Sequence, residues 1–360
     1  MYLYKKSISK KALAAAICLA LLSSTALAMP TGGKLAKGGN VSVNGEAFTS
    51  GDLESGATIK TNKTSIINWK NFSIGKGERL FVDTSYGALL NRVTGKNTSE
   101  IYGALTQYGD NAMMLVNPNG ITVGDGAIIN ANSLIFSTLN ISDADFKRGG
   151  WRLTKNSKGK AITLEKGAQL NIGDYFRAAS NTITVDAGVT ISGVRSTVGA
   201  DGGTEKFSGY SAAVDLYAVN SRSVGSVSTN ANNKLIIKGT IDQKNKPVEF
   251  QGVGGKISLK DAKISAQTFQ LLAGNSGSKN DRTKTMTINA TGQNKVTIDD
   301  VTLEAVSGAE IFGGTVTITG LNSTALYQNI YAGSKLSKVG NNGDGHPYYR
   351  LGATSVIPRS

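Results

Sequence analysis

Residues 112–123 read AMMLVNPNGITV, in which two apolar runs flank the tetrapeptide Asn117-Pro118-Asn119-Gly120. Pro118 has its φ set for the second position of a tight turn, and it biases Asn117 towards extended geometry. Asparagine at the first position and glycine at the fourth are preferences of a type I turn, and Asn119 or Gly120 can adopt a left-handed conformation at low cost. The stretch therefore predicts a strand, a sharp corner and a second strand.

Short segments of alternating apolar and polar residues recur in the second half of the chain. The segments are residues 161–164, 182–185, 234–237, 256–259, 295–298 and 315–318. Equivalent apolar positions of several successive segments lie 20 to 22 residues apart, as at Val296 and Val316. About 20 residues is the length of one circuit of three short strands and their corners in a β-helix. The recurrence predicts an all-β fold, a right-handed single-stranded parallel β-helix, with some 14 coils in a rod on the order of 65–70 Å long. A β-sandwich is the alternative, because its strands recur every 8–12 residues or so.

The composition agrees with an extended all-β protein. Glycine supplies 44 of the 360 residues, whereas 18% are charged and 7% are aromatic, which is unlike a helical enzyme. Residues 40–43 and 58–60 are expected to form an amino-terminal cap, and residues 348–351 to cover the last coil, since open strand edges invite aggregation. The glycine-rich stretches 198–209 and 273–282 are predicted to be loops that project from the rod.

The first 28 residues have the pattern of a signal peptide. Four lysines precede an apolar stretch at residues 12–22, and Ala26-Leu27-Ala28 has the small-x-small pattern of a signal peptidase site, so cleavage is expected after Ala28. The apolar stretch is shorter than the about 20 residues that a membrane helix needs. The only cysteine, Cys18, lies within it. The exported chain would therefore hold no thiol and would depend on burial and hydrogen bonding for its stability.

The chain is basic. Its formal net charge is +14, and loss of the four signal-peptide lysines leaves about 14 − 4 = +10. Such a surface could bind anionic glycans of a host or of the bacterial surface. The basic residues are spread along the sequence without arginine–aromatic clusters, so no nucleic-acid partner is expected. A basic surface that is merely solvated is the alternative interpretation.

Candidate catalytic residues are few. Parallel β-helices also support polysaccharide lyases and glycoside hydrolases, which would need paired carboxylates such as Asp299 and Asp300. Neighbouring residues on a strand point to opposite faces, so these two could share one cleft only at a corner. The single histidine, His346, lies in a polar tail, whereas a zinc site needs clustered histidine or cysteine. No catalytic residue, metal or cofactor is therefore predicted, and a glycan-active enzyme is retained as the alternative function.

A series of motifs surrounds the corner at residues 117–120. In chain order they are NW at 68–69, FSIG at 72–75, LNRVTG at 90–95, SEIYGAL at 99–105, NPNG at 117–120 and ANSLIFST at 131–138. The series resembles the amino-terminal domain of filamentous haemagglutinin-like exoproteins, which is called the haemagglutination-activity or two-partner secretion domain. The similarity extends more weakly over residues 40–146. The chain differs from typical members in its length, because they continue for thousands of residues after this domain.

The resemblance implies an exported protein, secreted or held at the cell surface after passage through the periplasm and the outer membrane. The implied partner is an outer-membrane transporter with periplasmic polypeptide-transport domains. The implied organisation is a signal peptide at residues 1–28, a secretion domain at 29–150 with the cap and first coils, a β-helix continuation at 151–340 and a tail at 341–360. The expected function is that of a monomeric adhesin, which would be a short exoprotein, the product of a broken gene or one piece of a split locus.

Two groups of residues carry the expectations for the site. The resemblance assigns four residues to the folding corner of the secretion domain: Asn117, Pro118, Asn119 and Gly120. It assigns five further residues to recognition by the transporter or to packing of the domain: Asn68, Trp69, Phe72, Asn91 and Arg92. For Trp69 and Phe72 packing is the favoured interpretation, because aromatic side chains are usually buried.

Overall fold

The chain coils into a parallel β-helix. The computed structural model describes residues 29–149, 152–155, 158–193, 196–198, 204–206, 213–223, 226–241, 249–278, 286–333, 335–341, 347–351 and 354–355. The predicted signal segment, with Cys18 and Ala28, lies outside these residues, as does His346. Over the described ranges, no helix has the length and apolar character that a membrane crossing requires. The predicted fold class is confirmed, and the β-sandwich alternative is wrong.

The coils present three faces, A, B and C, in the order in which the chain meets them. Face A contains Ala57–Thr61, Arg79–Asp83, Ala104–Tyr108, Thr190–Gly193, Thr240–Ile241, Leu321–Ser323 and the first halves of four long strands, Ile128–Ser137, Gln169–Ser180, Lys263–Ala273 and Val301–Gly313. Face B contains Ser65–Trp69, Leu89–Val93, Met113–Val116, Ala213–Ala218, Glu249–Gly254, Tyr327–Ala332 and the second halves of the same long strands. Face C contains Ser99–Ile101, Ile121–Val123, Ala161–Leu164, Thr182–Val185, Lys234–Ile237, Lys256–Lys260, Lys295–Asp299 and Thr315–Ile318.

The 20-residue recurrence of the sequence is the register of face C. Ile162 pairs with Ile183, and Val296 pairs with Val316, in parallel strands. Inward side chains of all three faces join in one continuous apolar core that runs from Met29 to Ile330. Each coil buries its aliphatic side chains against the coils before and after it. The resulting stabilisation, about 25 cal/mol per Å² of buried apolar surface, is therefore distributed along the whole rod.

An antiparallel sheet caps the first coil. Its strands are Gly33–Leu35, Val41–Val43, Glu46–Ala47 and Ser50–Gly51. Val41–Val43 pairs with the first strand of face A, and Gly33–Leu35 pairs with the first strand of face B. The cap prediction at residues 40–43 is confirmed, whereas residues 58–60 belong to the first strand of face A itself.

A second antiparallel sheet lies outside the coils. It contains Ser221–Ser223, Ser226–Ser228, Asn275–Ser278, Met286–Asn289, Lys335–Asn341 and Pro347–Leu351. The sheet is formed by three chain segments, here called excursions, each of which leaves the coil at the end of a face B strand. Adjacent excursions hydrogen-bond to one another. Residues in these excursions do not contribute to the coils, so faces A and B have ten described strands each. At about 4.8 Å per coil the described coils extend over about 45 Å, and the predicted number of 14 coils is wrong.

The structure corrects three local predictions. Residues 273–282 include the strand Asn275–Ser278 and are not simply a loop. Residues 198–209 include one strand of a hairpin, in which Ser196–Val198 pairs with Thr204–Lys206. Residues 348–351 lie in the outer sheet, and Thr354–Ser355 is the segment that pairs with the last strand of face B.

The outward side of face B is also buried over the first four coils. Ile66, Leu90, Met114 and Ile135 follow one another there in register. Residues 138–149, here called the covering segment, lie over them and include the short helix Asp143–Lys147. The Ser142 hydroxyl caps this helix by accepting a hydrogen bond from the Asp145 N–H at 3.0 Å, and its own bond to the Asp145 carboxylate lowers the pKa of that group.

Replacement of a core aromatic should weaken the whole rod. Phe250 is fully buried and stacks on Phe269 of the next coil with ring centroids 5.2 Å apart. Phe250→Ala is expected to lower the free energy of unfolding by about 3–5 kcal/mol, measured by chemical denaturation. The control is Leu326→Ala, because Leu326 is 83% exposed, and it should change stability by less than about 0.5 kcal/mol. Equal effects of the two substitutions would contradict the assigned core.

Candidate functional site

The corner at residues 117–120 is a hydrogen-bonded turn. The Asn117 carbonyl accepts from the Gly120 N–H at 3.1 Å, and the Asn117 side-chain oxygen accepts from the Asn119 N–H at 2.9 Å. The sequence predicted a positive φ at either Asn119 or Gly120. Gly120 has φ +115°, so the glycine is the residue that adopts it. A side chain at this position would be strained, and its Cβ would approach the Ala161 carbonyl oxygen at 3.3 Å.

Asn117 connects three successive coils. Its side chain is fully buried, and Nδ2 donates to the Asn97 carbonyl at 3.0 Å and to the Ser99 hydroxyl at 2.9 Å in the preceding coil. Its backbone N–H donates to the Ser137 carbonyl at 2.9 Å in the following coil. A buried amide with donors and acceptor paired in this way fixes the relative register of the coils.

Asn119 is buried in the same corner. Its Nδ2 donates to the Gly95 carbonyl at 3.0 Å and to the Asn117 side-chain oxygen at 2.9 Å. Its side-chain oxygen accepts from the Lys158 ammonium, which belongs to the chain that returns to face C. Polar groups of Asn117 and Asn119 are therefore directed into the folded domain, while Pro118 is half-buried at the surface.

The corner belongs to a column of asparagines between faces B and C. The Asn71 amide donates to the Thr31 hydroxyl at 3.3 Å, and the Asn97 amide donates to the Asn71 side-chain oxygen at 2.8 Å. Since Asn117 bonds to the carbonyl of Asn97, the column joins the cap to the third coil. Sequence motifs did not reveal Asn71 and Asn97, although the recurrence of asparagine after successive face B strands was the available signal.

Trp69 and Phe72 lie in the core beneath the cap. The Trp69 ring lies 5.9 Å from Phe48 and 6.1 Å from Phe72 between centroids, and the Trp69 indole donates to the Asn91 side-chain oxygen at 2.9 Å. Trp69, Phe72 and Asn91 are fully buried. Gly33 of the cap packs directly on the indole, because a Cβ there would lie 2.5 Å from the ring.

Arg92 and Asn68 lie nearer the surface and hold the covering segment. The Arg92 guanidinium donates to the Asn68 side chain at 3.3 Å and to the Ile141 carbonyl at 3.0 Å, and it pairs with the Asp143 carboxylate at 2.7 Å. The Asp143 side chain is about half exposed, so the ion pair adds about 1 kcal/mol at most. All nine predicted residues thus lie in the first three coils, on face B or at the corner that follows it.

The carboxylates considered for catalysis lie far from this corner in the sequence. Asp299 ends a strand of face C, where it contacts Lys260 at 3.1 Å and accepts from the Thr319 hydroxyl at 2.7 Å. The bond from Thr319, followed by Lys260, lowers the pKa of Asp299, which is opposite to the shift that a general acid needs. Asp300 occupies the next corner with φ +49°. In the part of the chain described, no group of three or more His, Cys, Asp or Glu residues is arranged to hold a metal ion.

The fold and the site together are those of a capped parallel β-helix with a buried asparagine corner in its third coil. Residues 28–242 match the family described as the TPS secretion domain, where TPS stands for two-partner secretion. The match covers more than half of the chain, and the chain belongs to this family. The matched residues extend beyond residue 150. The coils on the two sides of this position are stacked without a break, because Ile128–Ser137 pairs in parallel with Gln169–Ser180.

Part of the chain is similar in sequence to two curated proteins. Two heme/hemopexin-binding proteins of Haemophilus influenzae are 31% identical over 101 residues and 34% identical over 98 residues. These matches cover 28% and 27% of this chain but 11% and 10% of the two proteins, so the alignment spans about a tenth of their length.

Two solved structures share the fold. The HMW1 secretion domain from Haemophilus influenzae has a TM-score of 0.57 and 18% identity, over 81% of this chain and 72% of that one. The filamentous hemagglutinin secretion domain has a TM-score of 0.51 and 13% identity, over 82% of this chain and 99% of that one. At these identities the likeness supports the β-helix itself.

Family membership establishes the broad class of function. Exoproteins with this domain cross the outer membrane and are secreted or associated with the cell surface. The domain implies an outer-membrane transporter as partner, and its family is one of secretion domains, not of enzymes.

Removal of the Asn117 amide should destabilise the corner. In Asn117→Asp the side chain loses both donors and places an oxygen against the Asn97 carbonyl, so the free energy of unfolding should fall by roughly 2–3 kcal/mol, measured by denaturation. Asn322→Asp is the matched control at an exposed position of face A and should stay within about 0.5 kcal/mol of wild type. A stable Asn117→Asp protein would show that the buried amide bonds do not hold the coils.

Proposed function

We propose that residues 29–150 direct export of the chain through a cognate outer-membrane transporter that carries periplasmic polypeptide-transport domains. Support comes from the place of the nine candidate residues, which occupy consecutive coils next to the cap. The observation that carries the proposal is the burial of Asn117 and Asn119 in one hydrogen-bonded corner that joins three coils.

The transporter reads the chain before it folds. Trp69, Phe72, Asn91 and Asn117 are inaccessible in the β-helix, so a partner can contact these side chains only in an extended chain. An extended segment with alternating side chains can add to the edge of a sheet in the periplasmic domains through its backbone hydrogen bonds. Recognition and packing then use the same residues at different times.

Emergence of the chain outside the cell starts the β-helix at the cap. In the first four coils one outward column of face B is apolar, and from the fifth coil the same column carries charged residues such as Arg177 and Asp215. The outward column next to it stays buried in the later coils, at Ala179, Tyr217 and Val253.

The change from apolar to charged residues in this column supports a functional boundary near residue 150, with residues 151–340 as the continuation of the rod. Residues 341–360 then form a terminal segment whose strands Pro347–Leu351 and Thr354–Ser355 pair with the outer sheet and with face B. Later coils add onto a finished template.

The exported rod acts as a monomeric adhesin. The exposed basic residues of the coils favour attachment to anionic glycans of a host or of the bacterial surface. The two heme/hemopexin-binding proteins are much longer, and this chain aligns with about a tenth of each, so the proposed ligand does not rest on theirs.

Substitution of Asn119 should reduce export and leave synthesis unchanged. Asn119→Ala removes the bonds to Gly95 and Lys158 that close the corner, and the amount of protein in the medium should fall by about fivefold or more when the transporter is co-expressed, since a loss of about 1–3 kcal/mol slows a folding step by that factor. Immunoblots of cells and medium measure both quantities.

Two controls make the export assay specific. Asn322→Ala, at an exposed position in the last coil of face A, should be exported like wild type. Wild type without the transporter should remain inside the cell. Unchanged secretion of Asn119→Ala would refute the role of this corner, and secretion without any transporter would refute the export route.

A further inference from the structure

Three lysines form a column on the outward side of face C. Lys234, Lys256 and Lys295 occupy the same position of three consecutive strands and pair in register. Adjacent strands of a sheet lie about 4.8 Å apart, so the column presents one ammonium group per coil over roughly 10 Å of rod. Lys234 and Lys295 are exposed and Lys256 is partly exposed.

Among the described residues of these three strands, neither the lysine column nor the outward column next to it contains an acidic side chain. The neighbouring outward column on the same strands contains Ile236, Ser258 and Thr297. On the other side, the chain that leads into these strands is uncharged at residues 230–233 and 290–294. Among the residues that the structure describes, none forms an ion pair with the three lysines.

The fold itself does not require lysine at this position. The column continues to Thr182 in the coil before and to Thr315 in the coil after, so a small neutral residue fits it. Like charges directly opposite one another on adjacent strands are unfavourable. An anionic ligand that neutralises the three ammonium groups would remove this repulsion. Ligand binding therefore explains the three lysines, whereas folding does not.

We propose that this lysine column, defined by Lys234, Lys256 and Lys295, binds a linear polyanionic glycan that lies along the rod axis. The coil spacing is comparable with the length of one pyranose unit in an extended chain, so each ammonium group meets the sulfate or carboxylate of a successive unit. The hydroxyls of Ser258 and Thr297 lie beside the lysines and add hydrogen-bond donors for these anions.

This inference deepens the glycan-binding part of the proposed function and rests on that part alone. A single basic point charge per coil suits a flexible, repeating anion, whereas planar recognition of one phosphate or carboxylate favours arginine. A nucleic acid would need aromatic side chains for base stacking, and the outward column beside the lysines has none over these three strands.

The test compares two triple variants of equal charge. In the first, Lys234, Lys256 and Lys295 are changed to Gln. In the control, three exposed lysines of the cap and the first two coils, Lys37, Lys76 and Lys96, are changed to Gln. Binding of a heparin-derived hexasaccharide and of hexagalacturonate to the purified full chain is measured by calorimetry, so that sulfate and carboxylate are distinguished.

The column variant should bind the preferred hexasaccharide about tenfold more weakly or worse, and the control less than about threefold more weakly, because only the column aligns charges with the ligand. Circular dichroism confirms that both variants fold. Equal losses in the two variants, or no binding of either hexasaccharide by wild type, would overturn the proposal. Export is measured in a separate assay. If the proposed export route fails, the binding measurements on the purified chain still test the lysine column.

Discussion

Every other feature of this molecule depends on the register between successive coils. Backbone hydrogen bonds join each coil to the next, and the same register brings the inward side chains of all three faces into one column. A shift by one residue would move every inward aliphatic side chain of a strand to the outside. The chain therefore needs devices that fix register, and the asparagine column between faces B and C is one of them, because its side chains bond from coil to coil.

The cap and the covering segment protect the same end of the rod. The cap pairs with the exposed edges of the first strands, and Arg92 holds the covering segment over the outward side of face B. Both act within the first four coils, where the candidate export residues also lie. The proposed function couples stability and export in this region, because a coil that cannot set its register also cannot serve as a template for the next.

The sequence was informative where one local rule decided the structure. Residues 117–120 satisfy the preferences of a turn by themselves, and the recurrence that includes Val296 and Val316 predicted the strands of face C. It was uninformative where distant segments decide. The outer sheet pairs residues such as Val227 and Ser276, which no local pattern connects, and the contact between Arg92 and Asp143 depends on how the covering segment returns. The asparagine column could have been recognised from its recurrence, but its bonds follow from stacking.

The central claim is that the rod folds in one direction, from the capped end. Pulsed hydrogen exchange during refolding, read by mass spectrometry, tests it most directly. Amides of residues 57–137 should become protected first, and those of residues 295–332 last, because each coil needs the preceding one as its template. Simultaneous protection of both regions, or earlier protection of residues 295–332, would contradict folding from the cap.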